Sequence, residues 1–203
     1  MPTVEWNRLW SGDMLNHREG GRRGRHYGDQ WGDPDVDQGL QSVRDRFLTP
    51  FVDASKTCLE IGPGGGRWTQ YLLPAKHLYL VDLNPAMFAY IIERFGAPRN
   101  IDYIVTHGSD IPLVPHHSID FAFTCGTFVH LDLELIGGYL ASLRPLMKAG
   151  AHLSVQFSDK HKKASADETP ASPITTLSAH RTSCVRLASR SSQSTRVPCP
   201  IQP

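Results

Sequence analysis

The chain has 203 residues, 40% of them hydrophobic, enough for one domain that buries about 70% of the surface it would expose unfolded. Lys and Arg number 21 against 20 Asp and Glu, a near-balance that argues against an electrostatic nucleic-acid binder. Pro74, Lys76, His77 and Asp82 break the longest apolar stretches, so no membrane span is expected, and the opening MPTVEWNRLW lacks the apolar centre of a signal peptide. Cys58, Cys125, Cys184 and Cys199 are widely spaced, with no CxxC pair. That usage argues against a disulfide framework or a zinc site and for a reduced, cytoplasmic setting.

Composition changes along the chain. All 18 aromatic residues fall at or before Phe157, and the stretch beyond it is crowded with Ser, Thr and Pro. From Lys160 onward seven basic residues face two acids, whereas the first 159 residues carry 14 basic and 18 acidic groups. A boundary near residue 160 is expected, followed by a disordered tail over 160–203.

Residues 1–37 read as a lid or entry segment, with a loose basic cluster at Arg18, Arg22, Arg23 and Arg25, and its aromatic pair Tyr27 and Trp31 is expected either to cover apolar surface as a lid or simply to pack onto the core. Leu40, Val43, Phe47, Leu48 and Phe51 recur at helical spacing and predict a helix over 38–52. Thr57–Ile61 predicts a short buried strand that ends at Gly62. A helix through Trp68, Tyr71 and Leu72 should follow and stop before Pro74. Leu78–Val81 is the next strand, with Asp82 at its end. Asn84-Pro85 is a good helix start, Met87, Ile91, Ile92 and Phe95 supply that helix's apolar face, and Gly96 can cap it. Residues 101–105 and 119–124 read as strands, 132–148 as a helix closed by Gly150, and 153–157 as a fifth strand. Strand and helix alternate, and several strands are apolar on both faces. This is the pattern of an α/β fold, a Rossmann-like doubly wound parallel sheet in an αβα sandwich.

The first strand runs into Glu60-Ile61-Gly62-Pro63-Gly64-Gly65-Gly66. Glycines here allow a sharp turn and let a ligand lie against the backbone. A helix starting at that turn would aim free N–H groups at the ligand. A carboxylate at Asp82, at the end of the next strand, can accept both hydroxyls of a ribose. The dinucleotide pattern G-x-G-x-x-G needs a glycine where Arg67 stands, and no GK[ST] follows. The acidic Glu60 suits a cofactor that carries positive charge.

At these residues the sequence resembles the class I S-adenosylmethionine-dependent methyltransferases, over about 38–159. LEIGPGGGRW at 59–68 is similar to the family's first motif, LVDLNPAMF at 80–88 to its second-strand acidic motif, and HGSDIPLVPHHSIDFAFT at 107–124 to its adenine-contact Asp and fourth strand. LRPLMKAGAHLSVQF at 143–157 resembles its helix, glycine turn and fifth strand. The resemblance implies that S-adenosyl-L-methionine is the cofactor and that Gly62, Gly64 and Gly66, after Glu60, pass close to its methionine and adenosine parts. It further implies that Asp82 takes the ribose hydroxyls and that Asp110 with Ser109 contacts adenine. Asp110 also reads as a plain turn residue before Pro112.

A base assists if the acceptor is a hydroxyl. His130, in the stretch CGTFVHLD after the fourth strand, is the candidate because imidazole titrates near neutrality, and a structural histidine is the competing reading. His107, His116 and His117 read as loop residues, and no HxH or HxxxH spacing supports a metal. The expected partner is a small-molecule methyl acceptor. Other readings are an inert cofactor-binding or interaction module and an NAD-dependent oxidoreductase, the latter disfavoured by Arg67. In the family a helix and an antiparallel hairpin follow the fifth strand. No such pattern stands out after Lys160, so the C-terminal strands are expected to be missing or replaced, as a shifted reading frame would do.

Overall fold

The structure, a computed structural model, describes residues 26–158 and the strand segments 182–188 and 196–198. Three α-helices form: α1 (Gln38–Phe47), α2 (Met87–Phe95) and α3 (Leu133–Leu143). The strands are β1 (Thr57–Ile61), β2 (His77–Asp82), β3 (Ile101–Val105), β4 (Ile119–Thr124), β5 (Met147–Ser158), β6 (Thr182–Ala188) and β7 (Arg196–Pro198). Their order in one sheet is β3-β2-β1-β4-β5-β6-β7. β1 to β5 run parallel, while β6 lies antiparallel on β5 and β7 antiparallel on β6.

Both faces of the sheet are covered. On one, Cys58, Leu78, Leu80, Phe121 and Phe123 pack with Val43 of α1, Trp68, and Phe88 and Ile91 of α2. On the other, Leu59, Ile61, Val81, Ala122, Leu153 and Val155 pack with Phe128 and with Tyr139 and Leu143 of α3. Alternation along strands that are apolar on both sides produces this αβα sandwich. Asp120 ties the base of the sheet together. Its carboxylate accepts the Thr57 N–H of β1 at 2.9 Å and Lys148 Nζ of β5 at 2.7 Å.

Several expected elements differ in form. The helix through Trp68, Tyr71 and Leu72 is only a 3₁₀ turn, Thr69–Tyr71. Only seven residues separate Gly66 from Pro74, and they close instead through i to i+3 bonds: Tyr71 N–H donates to the Trp68 carbonyl at 3.0 Å and Leu72 N–H to that of Thr69 at 2.9 Å. The first helix stops at Phe47 and continues as a 3₁₀ turn, Thr49–Phe51, with Pro50 at its start. In α2, Ile92 is 44% exposed, and Phe88 and Tyr90 take up the buried face with Met87 and Ile91. Helix α3 ends at Leu143, before Pro145. Gly150 lies within β5 rather than at a helix end. Its φ of +80° accompanies a bulge at which the β4 partner register jumps from Met147 to His152.

Where the C-terminal strands are expected to be missing or replaced, β6 pairs along β5 from His152↔Ala188 to Ser158↔Thr182. The rest of the stretch expected to be disordered lies outside the described residues.

Candidate active site

The strand order reverses direction between β1 and β4, and that switch point is where an open α/β sheet leaves a crevice. Two segments border it: the glycine turn after β1 and the loop Cys125–Thr127 after β4. Gly62 extends the β1–β2 pairing, its N–H donating to the Val81 carbonyl at 2.8 Å. At Gly62, with φ +70°, a Cβ would collide with the Thr127 side chain. The Thr127 hydroxyl sits there instead and donates to the carbonyls of Ile61 at 3.3 Å and Gly62 at 3.2 Å. At Gly65 a Cβ would collide with the Tyr27 carbonyl, so the leading segment rests directly on the turn.

Glu60 and Asp82 meet at this end of the sheet. Glu60, the penultimate residue of β1, is 2% exposed and accepts the Thr69 hydroxyl at 2.6 Å. Burial pushes its carboxyl up to about 8, against the smaller opposing effect of the Thr69 hydrogen bond. Asp82 ends β2. Its carboxylate accepts the backbone N–H of Asn84 at 2.8 Å and is hydrogen-bonded by the backbone of Gly64 and Leu83. Burial raises it to about 6 despite those bonds. Asp82 therefore clips the β2 end onto the middle of the glycine turn.

Asp110 closes a turn after β3. Its carboxylate accepts the His107 N–H at 3.0 Å and the Thr106 hydroxyl at 3.2 Å, and its carbonyl also accepts that hydroxyl. Ser109, beside it, lies against Gly138 of α3, where a Cβ would collide with its hydroxyl. His130 is half-buried in a 3₁₀ turn, Phe128–His130, and its N–H donates to the Thr127 carbonyl at 3.1 Å. From this loop, Thr127 reaches the glycine turn. His116 and His117 lie in the loop before β4, at the opposite end of the strands.

Two features go beyond the sequence reading, Gln156 and Arg67, and a third gives the expected leading segment its place. Gln156 of β5 accepts the Gly126 N–H at 2.6 Å and the Cys125 thiol at 3.0 Å, holding the loop after β4. The leading segment is latched over the turn: Tyr27 is 2% exposed, packs edge-on to Trp31, and Asp29 pairs with Arg94 at 2.9 Å. Arg67, which the sequence uses only to disfavour a dinucleotide, is 8% exposed and donates from Nη1 to the Trp31 carbonyl at 2.7 Å. Among the described residues no group of three or more His, Cys, Asp or Glu side chains is placed to hold a metal ion, and no helix is long and apolar enough to cross a membrane.

The raised carboxyls make a stability signature. The folded chain holds the Glu60 proton up to about 8, whereas an unfolded chain releases it at about 4.5, and Asp82 behaves likewise between 3.8 and about 6. The stabilising contribution is full below those lower values and is lost as pH rises through the upper ones, with a slope of at most about 1.4 kcal/mol per pH unit for each group. Glu60→Gln should flatten the fall between pH 6 and 8 and raise stability at pH 8. Urea denaturation across that range checks this, and parallel curves for the two proteins would show that Glu60 is ionised throughout.

Comparison with known proteins agrees with this geometry. Residues 58–150 match the family described as "Methyltransferase domain", a span that contains the glycine turn, Asp82 and the loop after β4. No curated protein matches the sequence. Among solved structures the chain is similar to a SAM-dependent methyltransferase from Aquifex aeolicus (21% identity, TM-score 0.50, covering 68% of this chain and 71% of that one). It is similar to phosphoethanolamine N-methyltransferase 1 of Haemonchus contortus in complex with phosphoethanolamine and S-adenosylhomocysteine (15% identity, TM-score 0.61, 87% of this chain and 37% of that one). A third is an S-adenosylmethionine-dependent methyltransferase from Mesorhizobium loti (17% identity, TM-score 0.50, 61% and 55%). The chain thus spans about half or less of two of these proteins and 71% of the other. At such identities the structural likeness speaks for the fold, and the family match for residues 58–150 carries the kinship. Residues 58–150 thus match a methyltransferase domain, and the fold is the one that these S-adenosylmethionine-dependent methyltransferases share.

Proposed function

We propose that this chain transfers a methyl group from S-adenosylmethionine to a hydroxyl or amine of a small-molecule acceptor, in a reducing, cytoplasmic setting. The observation that carries the reading is the buried Asp82 carboxylate bonded to the glycine turn at the switch point, beside the buried Glu60. These residues fit the cofactor: the turn is open at Gly64, where a Cβ would meet nothing nearer than the Tyr27 ring at 3.7 Å, and carboxyls stand where a ribose diol and a cationic amino acid would seek acceptors.

When bound, the cofactor supplies a methyl group activated by its sulfonium, so the protein's contribution is alignment and proton handling. Asp82 accepts the ribose hydroxyls, Asp110 and Ser109 border the adenine, and Glu60 with Gly62, Gly64 and Gly66 lines the amino-acid side. Residues 26–31 cover the turn, and Tyr27 and Trp31 exclude water from it. Such a cover supports a small acceptor over a polymer. His130 takes the proton from a hydroxyl acceptor on an imidazole nitrogen as the methyl is transferred. Its place in the loop that Thr127 fastens to the glycine turn supports that role.

Asp82→Ala should weaken binding of S-adenosylhomocysteine by at least about tenfold, because a charge-assisted hydrogen bond contributes about 1.5–3 kcal/mol. Calorimetry checks it, and an unchanged dissociation constant would remove Asp82 from the ribose site. His130→Ala should lower turnover by about 10²-fold or more while cofactor affinity stays near wild type, and the pH–rate profile should lose a limb near neutrality. A variant with full activity and an unaltered profile would return His130 to a structural role.

A further inference from the structure

The least compensated charge beside the crevice is Arg67. Its side chain is 92% withdrawn from solvent, being 8% exposed, and a guanidinium has five N–H donors. Among the described residues its guanidinium makes a single hydrogen bond, from Nη1 to the Trp31 carbonyl, lies 5.3 Å from the centre of the Trp68 ring, and has no ion pair. Of the carboxylates near enough to influence it, Asp29 is engaged by Arg94 and Asp37 by the backbone N–H of Asp33. Glu60 is held in its neutral form at pH 7 by burial. Burial pushes the guanidinium below its ordinary range. An isolated buried cation costs several kcal/mol, so a site that keeps one gains from an anion placed against it.

The fold says where that anion would sit. The guanidinium leaves the chain just after the glycine turn and extends toward the β4 loop: Nη2 is 4.0 Å from where a Cβ on Gly126 would stand. Asp82 ends β2, on the other side of β1. β2 and β4 are two strand spacings apart, about 9–10 Å. A nucleoside whose ribose lies on Asp82 and whose arm crosses the glycine turn therefore ends beside Arg67.

We infer that Arg67 is the group that takes the carboxylate of the cofactor's amino-acid arm, and that its bond to the Trp31 carbonyl couples this contact to the segment covering the turn. The inference rests on the cofactor orientation of the proposed function, with ribose on Asp82.

The test compares S-adenosylhomocysteine with its decarboxylated analogue, S-adenosyl-3-thiopropylamine, which differs only by the carboxylate. Calorimetry on the full chain should give wild type a preference of tenfold or more for S-adenosylhomocysteine. Arg67→Met should bind the two within about threefold of each other, and Arg67→Lys should fall between. Thermal unfolding gives a second readout. Arg67→Met should raise the melting temperature of the free protein, by removing an unpaired buried charge, and reduce the rise that S-adenosylhomocysteine produces. Equal binding of the two ligands by wild type would overturn the inference without recourse to any variant, as would full discrimination in Arg67→Met. Failure of the orientation itself is distinguishable, since Asp82→Ala would then leave both ligands' affinities unchanged.

Discussion

The contact on which the site depends is the seating of Thr127 in the space that Gly62 leaves empty. It joins the end of β1 to the loop after β4 across the one place where the sheet changes direction. Without it, the two borders of the crevice would be independent loops. Gln156 secures the same loop from β5 through Gly126 and Cys125, and Asp82 secures the glycine turn from β2 through the Gly64 backbone. Four adjacent parallel strands are thereby fastened together at their C-terminal ends. That is the rigid platform on which proximity and alignment, the main protein contributions to methyl transfer, can operate.

The second organising fact is that this platform buries ionisable groups without the usual partners. Glu60 has a neutral hydroxyl for company, Asp82 backbone amides, and Arg67 a backbone carbonyl and the Trp68 ring. Each costs the unliganded fold stability, and each suits one part of a zwitterionic nucleoside: ammonium, diol and carboxylate. Such an arrangement is what perturbed titration at a functional site looks like, since groups that only stabilised the fold would gain from being paired with one another. The segment carrying Tyr27 and Trp31 completes the burial. It packs on Gly65 and is latched by Asp29 and Arg94, so binding and covering are coupled through the same few residues.

Much of this was legible in the chain itself. The strands announce themselves as apolar runs, and the E-x-G-x-G-x-G turn with Asp82 beyond it marks the end of the sheet where the strand order reverses. The helix after the turn was not legible as a 3₁₀ turn, because the period through Trp68, Tyr71 and Leu72 says nothing of how little chain remains before Pro74. Ile92 reads as inward from the helical spacing, yet the buried side of the helix runs through Phe88 and Ile91 on the sheet and through Met87 and Tyr90 against Tyr27. Asp110 and Ser109 illustrate a different limit: a motif names them, while the contacts they make are with their own turn and with Gly138. Arg67, Thr127 and Gln156 were hidden because their roles depend on partners far away in sequence. The one signal was polarity in the wrong place, a Gln in the apolar run LSVQF and an Arg where a related fold has glycine. At the C-terminal end, the alternation Val185-Arg186-Leu187 is too short to stand out from its Ser-rich surroundings.

The central claim is that the crevice between β1 and β4 is electrically set for a nucleoside with a zwitterionic arm. The most direct measurement is the proton balance of binding. Titrating the free protein with S-adenosylhomocysteine at pH 7, in buffers of different ionisation enthalpy, counts the protons exchanged. With Glu60 protonated in the free protein and ionised beside the bound ammonium, binding should release close to ~1 proton, and Glu60→Gln should release none. Binding with no proton release in the wild type, or the same release from Glu60→Gln, would contradict the account.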